Sequence, residues 1–312
     1  MKVLFAGTPV FALPSLDRIA GSSRHTLVGV LTRPDRPRAR GRRLLPSPVK
    51  ERGLALGLPI LQPARPSAPE TLEGIARLGP DVVAVVAFGR ILKPAFLRLP
   101  RFGCVNLHAS LLPLYRGAAP IERALLDGRT ETGVTTMQIA EGLDTGDILL
   151  SLPLPIGPEE TAGELAARLA EAGADLLLET LDRIERGECP RRPQEHEKAT
   201  YASPVRKEDA RIDWSRDAGS IQNLVRAMNP KPIAETESAH GMLRVYRVLR
   251  APGAGPPGTV LAADPKSGLV VAAGEGAVRL AEVQLPGRKR MEDRALLSGV
   301  RFAAGRSLAE GA

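Results

Sequence analysis

The chain has 312 residues, of which 43% are hydrophobic and 25% charged, and its formal net charge is +8. This composition is typical of a folded globular protein and excludes a collagen-like chain, a disulfide scaffold and wholesale disorder, while the length suggests two domains. No run of 18 apolar residues is present, so we expect no membrane span. Cys104 and Cys189 are isolated, which favours a reducing cytoplasm. No Cys/His cluster has zinc spacing, so no metal site is predicted.

Strand and helix patterns alternate along the first 190 residues. An apolar run at residues 3–7 enters a Gly-Thr-Pro turn and is interpreted as a buried first strand, not a signal peptide. Further strands are predicted at residues 27–32, 59–62, 81–88 and 104–107, and helices at residues 11–20, 50–56, 69–78 and 161–186. The pattern predicts an open, mostly parallel α/β sheet with right-handed crossovers. The turn lacks the GxGxxG dinucleotide fingerprint, so nothing indicates NAD.

A basic, proline-rich segment interrupts this pattern between Thr32 and Arg52. Four prolines in residues 33–48 exclude a regular helix or a central strand there. The basic residues are Arg33, Arg36, Arg38, Arg40, Arg42, Arg43, Lys50 and Arg52, and only Asp35 and Glu51 oppose them. Such a surface loop is either a solvated, self-repelling flap or a segment that contacts nucleic-acid phosphates through arginine.

The pattern changes in the second half of the chain. Residues 189–206 are polar and contain proline, and we interpret them as a linker between domains at residues 1–188 and 207–312. One helix is predicted to start between Ser215 and Ala218. Strands are predicted at residues 243–249, 259–262, 269–273 and 278–283. Short, regularly spaced strands suggest a small barrel or sandwich, and residues 235–238 are polar for a strand.

Residues 103–147 carry the densest set of reactive side chains. Asn106 and His108 alternate along a predicted strand, so both project from one face at its end, where ligands bind in open α/β sheets. Asp144 lies in a polar loop that we expect at the same crevice. An amide donor for an oxyanion, an imidazole and a carboxylate fit acyl or formyl transfer without a covalent intermediate. Taken singly, each has an ordinary alternative: a turn residue, a structural histidine or a helix cap.

Six stretches of the sequence resemble the 10-formyltetrahydrofolate-dependent formyltransferases. The two most specific are NLHASLLPLYRGAAPIERALLDG and TGVTTMQIAEGLDTGDIL. The others are LFAGTPVFALPSL, RPDRPRARGRRLLPSPVK, ATYASPVRKEDARIDW and GEGAVRLAEVQLPGRKRM. They are distributed along nearly the whole chain, between residues 4 and 291. The basic segment and the C-terminal half are most similar to the family members that formylate methionyl initiator tRNA.

The resemblance implies a fold, a reaction and a set of residues. The fold is a Rossmann-like formyltransferase domain followed by a smaller OB-like β-barrel domain. The reaction transfers the formyl group of 10-formyltetrahydrofolate to the α-amino group of methionyl initiator tRNA, without a metal. Catalysis is implied for Asn106, His108 and Asp144. Folate contacts are implied for Ser110, Leu111, Leu112 and Pro113, with a pterin pocket at residues 88–92. Contacts to tRNA are implied for Arg40, Arg42 and Arg43. We expect the protein to act as a monomer.

Three other functions fit the same catalytic residues or the same fold. The first is a related transferase that acts on a nucleotide-sugar amine or on glycinamide ribonucleotide, for which the basic loop would have no evident purpose. The second is a formyltetrahydrofolate hydrolase, in which water replaces the amine. The third is a non-catalytic RNA-binding module that has retained an enzyme fold.

Overall fold

The computed structural model describes residues 1–38 and 43–310. It forms two compact units. The first unit comprises residues 1–120, 131–155 and 166–202. The second comprises residues 121–130, 156–165 and the described chain from residue 203 onward. The domain division predicted from the sequence stays a prediction. No helix in the described part of the chain is long and apolar enough to cross a membrane.

The secondary structure comprises seventeen strands and eight α-helices in the described residues. The strands are β1 Lys2–Gly7, β2 Thr26–Leu31, β3 Arg36–Arg38, β4 Arg43–Leu45, β5 Ile60–Leu61, β6 Val82–Val86, β7 Cys104–His108, β8 Arg116–Gly117, β9 Glu131–Gln138, β10 Ile148–Pro155, β11 Tyr201–Ala202, β12 Ala234–Ser238, β13 Gly241–Ala251, β14 Val260–Asp264, β15 Gly268–Ala272, β16 Ala277–Gln284 and β17 Met291–Glu292. The helices are α1 Leu13–Ala20, α2 Pro48–Ala55, α3 Pro69–Leu78, α4 Pro94–Leu97, α5 Pro120–Leu126, α6 Ala162–Arg186, α7 Ala218–Ala227 and α8 Asp293–Leu297.

A seven-stranded sheet lies at the centre of the first unit, in the order β10-β9-β7-β6-β1-β2-β5. The five strands from β5 to β7 in this order run parallel to one another. β9 runs antiparallel to β7, and β10 runs antiparallel to β9. The mostly parallel α/β sheet predicted from the sequence is therefore confirmed. The prediction did not include β9 and β10.

The apolar strands of this sheet are covered on both faces. All five residues of β6 are buried, as its β-branched sequence predicts. On one face, Val83 and Val85 pack with Ile75 of α3 in a buried cluster. On the other face, α6 approaches closely, because a Cβ atom on Gly173 would lie 2.7 Å from Cδ2 of Leu107 in β7. This tight packing fixes β7, which carries the candidate catalytic residues at its end.

The basic segment contains a short two-stranded ribbon in place of a featureless loop. β3 and β4 pair antiparallel with each other and form no part of the central sheet. Arg40 and Arg42 lie outside the described residues, and Arg43 begins β4. α2 follows directly, where Ser47 caps the helix by accepting a hydrogen bond from the Lys50 backbone N–H.

An antiparallel sheet forms the core of the second unit. Its order is β12-β13-β16-β15-β14, and β17 pairs with β16. β12 has a polar sequence but alternates in burial, and its Thr236 hydroxyl accepts a hydrogen bond from the Trp214 indole at 3.0 Å. Within the described residues β12 and β14 end the path without pairing with each other. The second unit is therefore built on an antiparallel sheet of short strands, and a closed OB-like barrel stays a proposal.

Candidate active site

The carboxyl ends of β1, β6 and β7 lie side by side at one edge of the parallel sheet. β1 pairs with β2 on one side and with β6 on the other, so the strand order reverses here. Gly7 at the end of β1 is in register with Val86, and the Thr8 hydroxyl donates to the Phe88 carbonyl at 3.1 Å. In open α/β sheets, ligands bind in the crevice at such a switch point. The site predicted from the sequence therefore has the expected location in the fold.

Asn106 and His108 occupy alternate positions near the end of β7. The Asn106 side chain is half-buried and accepts or donates no hydrogen bond among the described residues, so its amide is available to a ligand. His108 is 6% exposed, and its Nε2 lies 2.9 Å from the carbonyl oxygen of Tyr115. Because a carbonyl oxygen can only accept, Nε2 carries the proton, and Nδ1 of the neutral ring is an acceptor. His108 can therefore take up a proton only at Nδ1.

Asp144 lies on the Nδ1 side of His108. Its Oδ2 is 3.7 Å from His108 Nδ1, too long for a hydrogen bond, and the same oxygen accepts the Gly117 backbone N–H at 2.9 Å. The separation is reasonable for a neutral imidazole, because a carboxylate and an Nδ1 lone pair repel each other. Protonation of Nδ1 would turn the contact into an attractive ion pair in a largely buried site. The structure thus brings His108 and Asp144 together, as the sequence predicted.

The turn at residues 110–113 is fixed by internal hydrogen bonds. Thr135 of β9 donates its hydroxyl to the Ser110 carbonyl at 2.7 Å and accepts from the Leu112 N–H at 3.2 Å. The Ser110 hydroxyl donates to the Leu114 carbonyl at 2.6 Å. Ser110 and Leu112 are buried, whereas Leu111 and Pro113 are half-buried. Leu111 and Pro113 therefore keep part of their surface accessible, and the four folate contacts stay predictions.

Apolar side chains also border the crevice after β6. Phe88 is buried, but Ile91 is 88% exposed, and Leu143 beside Asp144 is 62% exposed. Large apolar side chains that face solvent at the end of a sheet are typical of a ligand-binding surface. This surface suits a flat, partly apolar ligand.

The ribbon β3–β4 is anchored at its base. Asp35, just before β3, accepts hydrogen bonds from Lys50 Nζ at 2.6 Å and from Gln62 Nε2 at 2.7 Å. These two donors hold the pKa of the Asp35 carboxyl below its usual range. The Thr32 and Ser47 hydroxyls form a buried hydrogen bond at 2.8 Å. Lys50, counted with the basic run in the sequence, is thus an internal partner of Asp35.

One group in the described residues has the composition of a cation site. His25, Asp182 and Glu185 place one donor atom each within 4.8 Å of one another. His25 hydrogen-bonds Asp182 at 3.0 Å, and burial lowers the pKa of the imidazole. His25 precedes β2, so the group lies at the amino-terminal edge of the parallel strands, opposite the crevice. It is not part of the candidate active site.

Asp144 lies in the loop at residues 139–147, between β9 and β10, which we call the Asp144 loop. The residues that hold this loop in place were not predicted from the sequence. Gln194 contacts two carbonyls of the loop, and Arg116 contacts Gln194. A Cβ atom on Gly146 would lie 1.7 Å from the Gln138 carbonyl oxygen, so only glycine fits there. Arg116 and Gly146 lie within the family-like stretches quoted above. Gln194 lies in the polar segment read as a linker, where no local pattern indicates a contact 50 residues away.

Comparison with known proteins assigns the chain to a family. The formyl transferase model matches residues 1–181, and the model for the formyl transferase C-terminal domain matches residues 204–301. The chain belongs to the formyl transferase family. The two matched ranges leave residues 182–203, including Gln194, outside both models.

Many relatives in this family are similar over nearly their full length. The methionyl-tRNA formyltransferase of Geotalea daltonii is 47% identical over 308 residues, which is 99% of this chain and 98% of the relative. The methionyl-tRNA formyltransferase of Aromatoleum aromaticum is 48% identical over 305 residues, or 98% of this chain and 96% of the relative.

Solved structures share the fold at low sequence identity. An N-formyltransferase from Helicobacter canadensis, solved with folinic acid and dTDP-3-aminofucose, has a TM-score of 0.68 at 19% identity and covers 89% of this chain and 97% of that chain. HypX from Aquifex aeolicus, solved with tetrahydrofolic acid, has a TM-score of 0.63 at 17% identity over 95% of this chain. The chain spans about half the length of HypX, at 47% of that chain.

Proposed function

We propose that the protein transfers the formyl group of 10-formyltetrahydrofolate to the α-amino group of methionyl initiator tRNA. The product is formylmethionyl-tRNA, used to start translation. The observation that carries this proposal is the near-full-length similarity to methionyl-tRNA formyltransferases at 42–48% identity. The arrangement of Asn106, His108 and Asp144 at the switch point supports it.

The first step forms a bond between the neutral amine of methionine and the formyl carbon. The formyl oxygen becomes an oxyanion, and the attacking nitrogen becomes positively charged. Asn106 stabilises the oxyanion, because its side-chain amide has no hydrogen-bond partner among the residues that the structure describes and can donate to a negative oxygen. Loss of one such donor typically costs about 10²–10³ in rate.

The second step moves a proton from the attacking nitrogen to the N10 leaving group. His108 takes this proton at Nδ1, since Nε2–H is engaged with Tyr115. Asp144 stabilises the imidazolium across the 3.7 Å gap. The C–N10 bond then breaks as N10 receives the proton from His108, which leaves tetrahydrofolate and the formylated amine. The proton lost by the amine is thus the one that N10 gains, and the scheme uses no metal and no covalent enzyme intermediate.

Folate is a co-substrate in this scheme. The residues proposed to contact it are Ser110, Leu111, Leu112 and Pro113, together with residues 88–92. Leu111 and Pro113 supply the accessible apolar surface, whereas Ser110 and Leu112 keep the turn in shape through Thr135. Apolar side chains flanked by a few polar groups are the usual lining of a site for a ligand of this size.

The tRNA is proposed to contact the ribbon through Arg40, Arg42 and Arg43. Arginine pairs with phosphate in a bidentate manner, and the Asp35–Lys50 contact holds the base of the ribbon in place. We further propose that residues 207–312 form a tRNA-binding domain with an OB-like barrel, joined through residues 189–206 to a catalytic domain at residues 1–188. We also propose that the protein is monomeric and acts in the cytoplasm.

An assay with three acceptors tests the function. Formyl transfer from 10-formyltetrahydrofolate is measured with initiator Met-tRNA, with elongator Met-tRNA and without tRNA. We expect fast transfer confined to the initiator. Tetrahydrofolate release without tRNA would identify a hydrolase instead, and transfer only to an amino sugar nucleotide or glycinamide ribonucleotide would identify a different transferase.

A further inference from the structure

We propose that Gln194 is a positioning residue that fixes the main chain of Asp144 for proton transfer. This inference rests on the proposed function, because it concerns a residue of that reaction. Gln194 is 5% exposed and belongs to the first unit, yet it lies between the two ranges that the family models match.

The Gln194 amide uses its full hydrogen-bonding capacity on two sides. Its Nε2 donates to the Asp144 carbonyl at 2.9 Å and to the Gly146 carbonyl at 2.7 Å. Its Oε1 accepts from Arg116 at 3.1 Å for Nε and 2.6 Å for Nη2. The reverse amide orientation would set oxygen against two carbonyls and NH₂ against a guanidinium. The surroundings therefore allow a single orientation.

Arg116 orients this amide and has no acidic partner in the part of the chain that the structure describes. The residue is 2% exposed, and its side chain hydrogen-bonds Gln194 and, at 3.0 Å, Nδ1 of His196. A buried guanidinium is costly unless its donors are engaged. The hydrogen bonds from the Arg116 guanidinium to Gln194, and from Gln194 to the loop carbonyls, therefore connect a buried residue of the first unit to the Asp144 loop.

The Asp144 loop has a backbone that needs external support. Asp144 has φ +50°, in the left-handed region that residues other than glycine adopt uncommonly, although Asp tolerates it better than most. Two contacts hold the residue from opposite ends: the Gly117 N–H binds its carboxylate, and Gln194 binds its carbonyl. Gly117 immediately follows Arg116, so this dipeptide restrains Asp144 directly and through Gln194. Without the amide donors, Asp144 can relax and its carboxylate moves relative to His108.

Displacement of a reacting group by about 1 Å can cost about 10²-fold in rate. Removal of the Gln194 donors should therefore lower kcat, while the KM for each substrate changes by less than about threefold because binding surfaces are untouched. A purely structural role would lower the amount of folded enzyme and leave the kcat per folded molecule unchanged.

Two variants and one control test the proposal. Gln194→Glu keeps the volume and the acceptor for Arg116 but removes both donors, and Gln194→Ala removes the whole amide. The control Glu195→Gln changes the exposed neighbour that pairs with Lys198 at 2.6 Å. Activity is measured with both substrates varied, and amide hydrogen exchange is followed in peptides that cover residues 139–150.

We expect both variants to lower kcat by about 10–100-fold and to speed exchange at residues 140–147 by at least about tenfold, with the control unchanged. Wild-type kcat or wild-type loop exchange in Gln194→Glu would overturn the proposal, even if Gln194→Ala does not fold. The exchange measurement needs no reaction. If the wild-type enzyme does not formylate Met-tRNA but the variants still release the loop, the proposed function fails and the restraint stands.

Discussion

His108 has a different partner on each ring nitrogen, and this difference decides how its variants should behave. The Nε2–H group donates to Tyr115, a residue with φ +56° in the turn that follows the strand. Nδ1 faces Asp144. A side chain that keeps the Tyr115 contact without a titratable nitrogen therefore separates a structural role from a role in proton transfer.

Replacement of His108 by Ala should lower kcat by about 10²–10⁴, the usual contribution of a general acid–base group. The KM for tRNA should stay near the wild-type value, because His108 is 6% exposed and offers little binding surface. The measurement is steady-state formylation of initiator Met-tRNA at saturating 10-formyltetrahydrofolate.

His108→Gln is the matched variant, since its amide N–H can replace the donation to Tyr115. It should be as slow as His108→Ala while melting at a temperature close to that of the wild type. Recovery of activity in His108→Gln would mean that the contact with Tyr115, and not proton transfer, is what the reaction requires.

At the scale of elements, strands and helices with clear local signals could be predicted closely. α3 has the predicted bounds, because Pro69 starts it and Gly79 ends it in a left-handed conformation with φ +59°. β9 has no such signal. Its buried Thr135 and Thr136 are stabilised by hydrogen bonds to Ser110 and Thr180, which are distant in the sequence. When a polar residue hydrogen-bonds a residue that is distant in the sequence, the local sequence pattern predicts that it is exposed, although the fold buries it.

The same distinction holds for the site. Asn106 and His108 could be predicted because alternation along a strand is a local property. Their proximity to Asp144 required a resemblance to a known family, since no spacing rule connects β7 to a loop after β9. Gln194 could not be found, because its contact to Arg116 spans 78 residues and glutamine in a polar segment indicates only solvent exposure.

The ribbon β3–β4 should control the salt dependence of tRNA binding. Each phosphate contact contributes about 0.7–0.9 to the slope of log affinity against log salt concentration. The triple variant Arg40→Gln, Arg42→Gln, Arg43→Gln should therefore raise the KM for tRNA and reduce this slope by about 2–3. The measurement is tRNA binding between about 50 and 200 mM salt.

A control with the same change in net charge is available at exposed sites on the first unit. Arg77, Arg98 and Arg101 are exposed and precede β6 or β7, at the opposite edge of the parallel sheet from the crevice. Their joint replacement by Gln should leave the slope close to that of the wild type. Equal slopes for the ribbon variant and the wild-type protein would refute a phosphate-binding role of the three arginines.

At the scale of the whole molecule, a buried carboxylate contributes to the stability of the second unit. In the second unit, Asp293 is fully buried and accepts hydrogen bonds from Arg279 at 2.8 and 2.7 Å and from the Leu269 N–H at 2.9 Å. Burial alone would raise the pKa of the Asp293 carboxyl, but these donors outweigh it and hold the pKa below its ordinary value of 3.8. The Asp293 carboxylate therefore contributes to the free energy of unfolding at neutral pH. This contribution is lost as the pH falls below about 3.8 and through the folded-state pKa.

Asp293→Asn should reduce the free energy of unfolding of the second unit by about 2 kcal/mol at pH 7, because Arg279, which is partly exposed, and the Leu269 N–H lose a charged acceptor. The variant should also weaken the acid dependence of stability, since the carboxyl that titrates is gone. Trp214, the single tryptophan of the chain, lies in this unit and reports its unfolding in urea by fluorescence.

Glu292→Gln removes the same charge one residue away at an exposed site and should keep wild-type stability. Equal unfolding midpoints for Asp293→Asn and Glu292→Gln would show that the buried ion pair does not stabilise the unit.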